Sequence, residues 1–383
     1  MISPEFKRFP NEWKVLPFLE VFEDVTSKGK KVKKENYQIT GDIPVVDQGQ
    51  KFFGGYTDEA NKITGVDLPA IVFGDHTKAF KYVEVDFAIG ADGVKLLNPK
   101  IDADKKFLFY YLKQLKLEDA GYSRHFKFLK ETYIPLPPLE TQKKIAAVLE
   151  RADQLRKDCQ QMEQELNSLA QSVFIDMFGD PVTNPKGWEI LTIGDLLLSA
   201  NYGTSEKAST EKKKYPVLRM NNITYEGNWD FSSLKYMDMS EDDEDKYLVE
   251  SGDILFNRTN SKELVGKTAV YREATPMAYA GYLVRARCNE LAHPEYISSF
   301  MNSRFTKKTL QSMCKSIVGM ANINAKEFQK ISVAKPPIEL QQEFARRVEA
   351  IRAEVEATKQ QGYEYDHLFN SLMQKAFKGE LTL

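Results

Sequence analysis

Cysteine and histidine are scarce in this chain, and long apolar runs are missing. The three cysteines, Cys159, Cys288 and Cys314, have no paired spacing. That excludes a disulfide framework and a cysteine-rich zinc site, and they read as buried free thiols. The four histidines, His76, His125, His293 and His367, lie far apart with no cysteine or second histidine at ligand spacing. No apolar run reaches the about 18 residues that a membrane helix needs, and Met1–Arg8 lacks the apolar stretch of a signal peptide. A cytoplasmic protein without a membrane partner is expected. Net charge is small as well: 53 Lys and Arg stand against 55 Asp and Glu, giving −2. A protein that wraps DNA unaided is usually basic, because neutralised phosphates supply most sequence-independent affinity. Nucleic-acid binding by this chain would therefore need local patches or partners that bring positive charge.

Catalytic signatures are also lacking. Gly266-Lys267-Thr268 resembles the end of a phosphate-binding loop, but Ser261 stands where the first glycine belongs. No Pro-Asp dipeptide opens a nuclease pattern, and no Asn-Pro-Pro-aromatic or Asp-Pro-Pro-aromatic motif of amino-methyltransferases occurs. No catalytic residue, metal ligand or directly bound cofactor is assigned.

What the chain has instead is a long internal repeat. Pro137-Pro138-Leu139-Glu140-Thr141-Gln142 returns as Pro336-Pro337-Ile338-Glu339-Leu340-Gln341. Asn167-Ser168-Leu169 and Phe174 return as Asn370-Ser371-Leu372 and Phe377, and Trp13-Lys14-Val15-Leu16 is answered by Trp188-Glu189-Ile190-Leu191. A repeat this long is a duplicated domain with a duplicated helix, since solenoid units run to only about 20–50 residues. The second helical segment is longer by about four residues, roughly one turn, which preserves the buried face.

Apolar residues at alternating steps of three and four predict the helices. The first carries Ile145, Val148, Leu155, Met162, Leu166 and Leu169 and ends at Phe178-Gly179-Asp180-Pro181; the second carries Phe344, Val348, Ile351, Val355, Phe369 and Leu372. Gly362 interrupts the second, so a kink or a close approach is expected there. Antiparallel pairing with matched ends sets Gly362 beside Cys159, a narrow waist between small residues. Such helices often dimerise two chains, but here the duplication already supplies both strands of the coil. The expected fold is α+β: two α/β domains, 1–135 and 181–334, joined by helices within 136–180 and 335–383. These helices form an antiparallel intramolecular coiled coil with pseudo-two-fold symmetry.

In each domain, short β-rich runs precede a helix. Strands are expected at 43–46, 70–73, 94–97, 215–218, 253–256, 267–271 and 282–287, with helices at 107–117 and 294–313. The acidic run Glu241–Asp245 after Ser240 reads as the first turn of a further helix. Polar loops between strands supply the candidate DNA contacts, because Arg, Asn, His, Thr and Lys can donate to base edges or phosphates. In the first domain these are Lys28, Lys30, His76, Thr77, Arg124 and His125. In the second they are Tyr202, Thr204, Ser205, Arg219, Asn257, Arg258, Asn322 and Asn324. Taken singly each loop is a solvated turn; their equivalent placement in two copies favours a binding face. Arg258 is open to two roles, a bidentate contact to guanine or a buried ion pair.

Two variable domains alternating with two similar helices, each opened by Pro-Pro-hydrophobic-Glu-x-Gln, resemble the specificity subunit of type I restriction-modification enzymes. The second domain carries the resemblance most fully, through Asn201–Ser205, Tyr215–Ile223, Gly252–Ser261 and Ala321–Asn324. The first carries it through Ile71–Thr77 and Ile89–Gly93. The resemblance implies two target recognition domains, each reading half of a bipartite, asymmetric sequence in double-stranded DNA, with the helices as spacer. It implies no catalysis by the chain itself. Two modification (methyltransferase) subunits would dock on the helices, and restriction (translocase and nuclease) subunits would join them. S-adenosylmethionine, ATP and Mg would sit on those partners. Two other classes are weighed against this one: a self-contained enzyme with an unrecognised site, and a coiled-coil adaptor whose domains bind proteins.

Overall fold

The computed structural model describes residues 9–90, 92–118, 123–317 and 320–382; Met1–Arg8 and Ala91 of the Ile89–Gly93 block lie outside the described residues. The chain divides into two compact units, residues 1–159 with 361–383, and residues 160–360. The helices are Leu139–Phe178 and Ile338–Ala376, and each unit holds a part of both. Gly179 ends the first helix at φ +86°, the left-handed cap position that glycine occupies at no steric cost.

The repeated tryptophan segments close each domain. Strand Lys14–Pro17 pairs antiparallel with Tyr133–Leu136, and Glu189–Thr192 pairs antiparallel with Ser332–Lys335. Each pairing brings the start of a domain beside its exit strand, immediately before the Pro-Pro pair.

Each domain also holds two four-stranded sheets, to which the second domain adds a three-stranded one of Thr259–Asn260, Met320–Asn322 and Lys315–Ile317. The first four-stranded sheet has one topology in both copies. Its strands run Phe22–Asp24, Val94–Pro99, Ala70–Gly74, Phe80–Val83 in the first unit and Leu197–Tyr202, Leu283–Cys288, Ile254–Asn257, Thr268–Val270 in the second, antiparallel throughout. The central strands Ala70–Gly74 and Ile254–Asn257 are buried along their whole length, which is why they read as continuous apolar runs without alternation. The second sheets share a central parallel pair, Ile43–Val46 with Ala88–Gly90 and Tyr215–Leu218 with Met277–Tyr279. They differ in one outer strand: Lys31–Val32 joins parallel, Leu248–Val249 antiparallel.

The expected strands at 43–46 and 215–218 match residue for residue. The single helix expected over 294–313 is two, Pro294–Asn302 and Arg304–Met313. Ser303 is extended between them, and its hydroxyl accepts the Thr306 N–H at 3.2 Å. Serine's strength as a cap outweighs the apolar period that runs through it. Helix Glu241–Tyr247 opens on its acidic run after Ser240, as expected.

Within each unit the long helices pack antiparallel, the start of one beside the end of the other. In the first unit Ile145, Leu149 and Ala152 share a core with Phe369, Met373, Ala376 and Phe377. In the second, Phe174, Met177 and Phe178 share a core with Phe344 and Val348. The repeated phenylalanines anchor these cores. Phe377 lies 5.4 Å from both Phe107 and Tyr111 of the first domain's helix, Lys105–Gln114, and Phe174 stacks at 5.7 Å on Tyr296 of the second's helix Pro294–Asn302.

The expected seam needs correction. Ile145, Phe344, Val348, Val355 and Phe369 are buried, but Val148, Leu155, Leu166, Ile351 and Leu372 are half-buried, and Met162 and Leu169 are 48% and 46% exposed. From Ile145 the first helix buries Leu149 rather than Val148, taking the step of four before the step of three. The inner side at mid-helix therefore includes Arg156 and Glu163, which ion-pair with Asp366 and Lys359 of the second helix. Cross-helix charge pairing occupies places that an apolar-only reading assigns to Leu155 and Met162. Gly362 does meet Cys159 as expected: a Cβ built on it would lie 3.6 Å from the Cys159 Cβ, and the helix runs through it unbroken.

Candidate nucleic-acid interface

In the second domain, the segments following Tyr202, Asn257 and Tyr279 converge with strand Met320–Asn322, which pairs antiparallel with Thr259–Asn260. The chain at Gly203 passes so close to the next loop that a Cβ there would collide with the carbonyl oxygens of Tyr279 and Ala280. Thr204 donates its N–H to Tyr279 O at 2.9 Å, and Gly281 donates to Thr204 O at 2.7 Å. Burial pushes the Tyr279 phenol up to about 12, so it stays a neutral donor, to Tyr202 O at 3.3 Å.

Arg258 stands at the centre of this cluster. Its guanidinium lies 4.8 Å from the Tyr202 ring centroid, a cation–π arrangement. It donates at 3.4 Å to Gly281 O and to Asn322 Oδ1, while Asn322 Nδ2 donates to Thr259 Oγ1 at 3.0 Å. Tyr202 Oη in turn accepts the Ala325 N–H at 3.0 Å. Among the described residues no carboxylate pairs with Arg258 and its Nε has no hydrogen-bond partner, which removes the buried ion-pair role. The result is a cationic fork beside exposed Tyr202, Ser205 and Tyr282. Such a fork matches phosphate oxygens or the O6/N7 edge of guanine.

Not every expected contact is free to act as one. Thr204 and Asn257 are buried, a correction to the expectation that they touch DNA; their side-chain oxygens accept the N–H groups of Glu206 at 3.1 Å and Thr259 at 3.4 Å. Asn324 caps helix Ala325–Gln329, its Oδ1 accepting the Glu327 N–H at 2.9 Å. Arg219 is half-buried and donates to Ser233 O at 2.7 Å. Exposed Tyr282, whose carbonyl accepts the Arg258 N–H at 3.0 Å, stands at this cluster without being among the expected contacts; its signal is a Gly-aromatic pair just before strand Leu283–Cys288.

The first domain builds a comparable cluster with other residues. Strands Ala70–Gly74 and Phe80–Val83 are joined by a turn containing His76 and Thr77, in which Lys78 takes φ +58°. Thr77 Oγ1 donates to Gln48 O, and Gln48 Oε1 accepts the His76 N–H at 3.3 Å. Asp75 knits this turn to the loop around residue 125: its carbonyl accepts the His125 N–H at 2.9 Å and its carboxylate the Phe126 N–H at 2.7 Å. His125 is therefore buried, at 1% exposure, and serves as a bracket where a contact was expected. Arg124 beside it is exposed. Lys28 and Lys30 are exposed but are not brought to this cluster. The Lys28 carbonyl accepts the Gly65 N–H at 3.4 Å, near Phe87, whereas Asp75 bonds to Gly93 beyond the other end of strand Ala88–Gly90.

The phosphate-loop likeness dissolves in the structure. Lys267 is buried, donating to the carbonyls of Met220 and Ile223, and Thr268 opens a strand where a phosphate-binding loop would open a helix. Among the described residues no three His, Cys, Asp or Glu side chains gather as metal ligands, and no helix is long and apolar enough to cross a membrane.

The two copies of this architecture coincide with two matches to one family, the type I restriction modification DNA specificity domain, over residues 10–168 and 185–364. The chain belongs to that family. Among curated relatives, the EcoKI specificity subunit of Escherichia coli K12 is 28% identical over 268 residues, 65% of this chain and 58% of the relative. The StySPI specificity subunit of Salmonella potsdam is 24% identical over 267 residues, with the same coverage of 65% and 58%. The matched region thus spans less than two-thirds of those relatives. In fold, the chain is similar to the S subunit of a type I restriction-modification system from M. genitalium, with a TM-score of 0.62, 16% identity and coverage of 98% and 99%. A chain solved in work on assembly and conformational transition of the type I system gives a TM-score of 0.55 at 18% identity, covering 97% and 99%. Each loop cluster lies within one specificity-domain match.

Proposed function

We propose that this chain is the DNA sequence-specificity subunit of a cytoplasmic type I restriction-modification complex. Each specificity domain reads one half of a bipartite, asymmetric target through its loop cluster. The long helices set the spacing and dock two modification subunits, which restriction subunits join. The chain is not itself an enzyme; S-adenosylmethionine, ATP and Mg serve the partner subunits.

The observation that carries this reading is the pair of family matches, each enclosing a domain whose loops converge on exposed polar and aromatic side chains. Partners that close around the duplex also account for the near-neutral charge, since they bring the cations that neutralise phosphates. The test is methylome sequencing of cells expressing the chain with and without its modification partner. A bipartite adenine-methylated motif that needs both proteins supports the reading. Methylation or metal-dependent cleavage by the purified chain alone would overturn its non-catalytic part, and partner binding without any motif would favour a protein-binding adaptor.

A further inference from the structure

The Pro-Pro-x-Glu-x-Gln repeat ends on a glutamine that is almost fully buried in both copies, Gln142 at 3% and Gln341 at 0% exposure. Each glutamine makes the same two kinds of contact. Its Nε2 donates back to the carbonyl of the first proline of the Pro-Pro pair: Gln142 to Pro137 O at 2.8 Å, Gln341 to Pro336 O at 2.9 Å. Its Oε1 reaches into the globular domain and accepts the backbone N–H of the residue capping the domain's own helix. That residue is Asp104 at 2.9 Å in one copy and His293 at 2.8 Å in the other. One side chain thus ties together the exit strand, the long helix and the domain helix, and Gln341 adds a bond to Leu291 O at 3.1 Å. The loop clusters differ between the copies while this joint is the same. A part kept constant under varied recognition loops is suited to holding geometry rather than reading bases.

We propose that Gln142 and Gln341 are positioning residues: each fixes the angle of its domain on the long helix and so keeps the gap between the two half-sites strict. This rests on the bipartite reading above. A domain of this size has a lever arm of about 20 Å. A tilt of roughly 10° at the joint then moves its loops by about one base step, 3.4 Å along a strand. Loosening either joint should blur the gap without altering which bases are read.

The experiment is methylome sequencing of cells expressing the full chain with its modification partner, as wild type, as Gln341→Met and as Gln142→Met. Methionine keeps the volume and removes the bonds. The wild type should show one motif with one gap. In each variant both half-site sequences should persist, while preference for the native gap over gaps one base longer or shorter falls by about tenfold or more, the scale of two or three lost hydrogen bonds. If one variant does not accumulate as folded protein, the other tests the same joint geometry in the second copy. Uniformly weaker methylation at an unchanged single gap would overturn the proposal, leaving the glutamines a purely structural role. A wild type with no bipartite motif would overturn the reading on which the proposal stands, and the proposal with it.

Discussion

Arg258 shows how far a single residue could be read before folding. Its chemistry marked it as a candidate, but whether it paired with a carboxylate depended on neighbours more than twenty positions away in sequence, Gly281 and Asn322 among them. With the ion-pair role removed, replacing it by lysine keeps the charge and loses the planar fork. Arg258→Lys is expected to cost about 1–3 kcal/mol in discrimination at the second domain's half-site if the fork reads a base. The first half-site should be unaffected, as measured by competition binding of the assembled complex to oligonucleotides varied in one half at a time. At Gly362 the outlook is the reverse. A methyl group has room against Cys159, and alanine favours the helix over glycine by about 1 kcal/mol. Gly362→Ala should raise the denaturation midpoint, whereas Gly362→Leu should lower it by prying the helices apart.

At the scale of elements, periodicity located both long helices within a few residues but misjudged which sides they bury. Steps of three and four fit two overlapping seams, and only the partner helix selects between them; here Arg156 and Glu163 are chosen because Asp366 and Lys359 face them. A second charge device holds the second domain's helix Pro294–Asn302 to the long helix. Glu295 accepts Arg272 at 2.6 and 2.8 Å and Arg352 at 3.0 Å. Burial works against the Glu295 carboxylate, yet the two arginines outweigh it and hold its pKa below the usual value of 4.5. A depressed carboxylate contributes stability above its unfolded pKa and loses it as pH falls through the folded one. The acid side of the stability profile, below about pH 4.5, should therefore be steeper in the wild type than in Glu295→Gln, as followed by denaturant titration across pH. Removing one helical turn around Gly362 should change the preferred gap and leave both half-site sequences intact; methylome sequencing that found altered half-sites would contradict the spacer role.

For the whole molecule, the proposed division of labour predicts modularity. Replacing residues 181–334 with another specificity domain should change one half-site only, read out as a methylated motif whose other half is unaltered. The repeat, the helices, the closing tryptophan segments and several strands were legible because each is a local pattern: identical words, a fixed apolar period, a short run of β-branched residues. Membership of the family was legible for the same reason, since its marks are contiguous motifs. What the sequence left open were matters of distance between separated residues. Burial of His125, Thr204 and Asn257, the break at Ser303 and the seam that admits Arg156 each depend on what packs opposite. The glutamines of the repeat show the boundary most clearly: their presence in both copies is plain in the sequence. Their work is decided only in the folded state, where each lone amide can reach a strand exit and a helix cap that lies dozens of residues away along the chain.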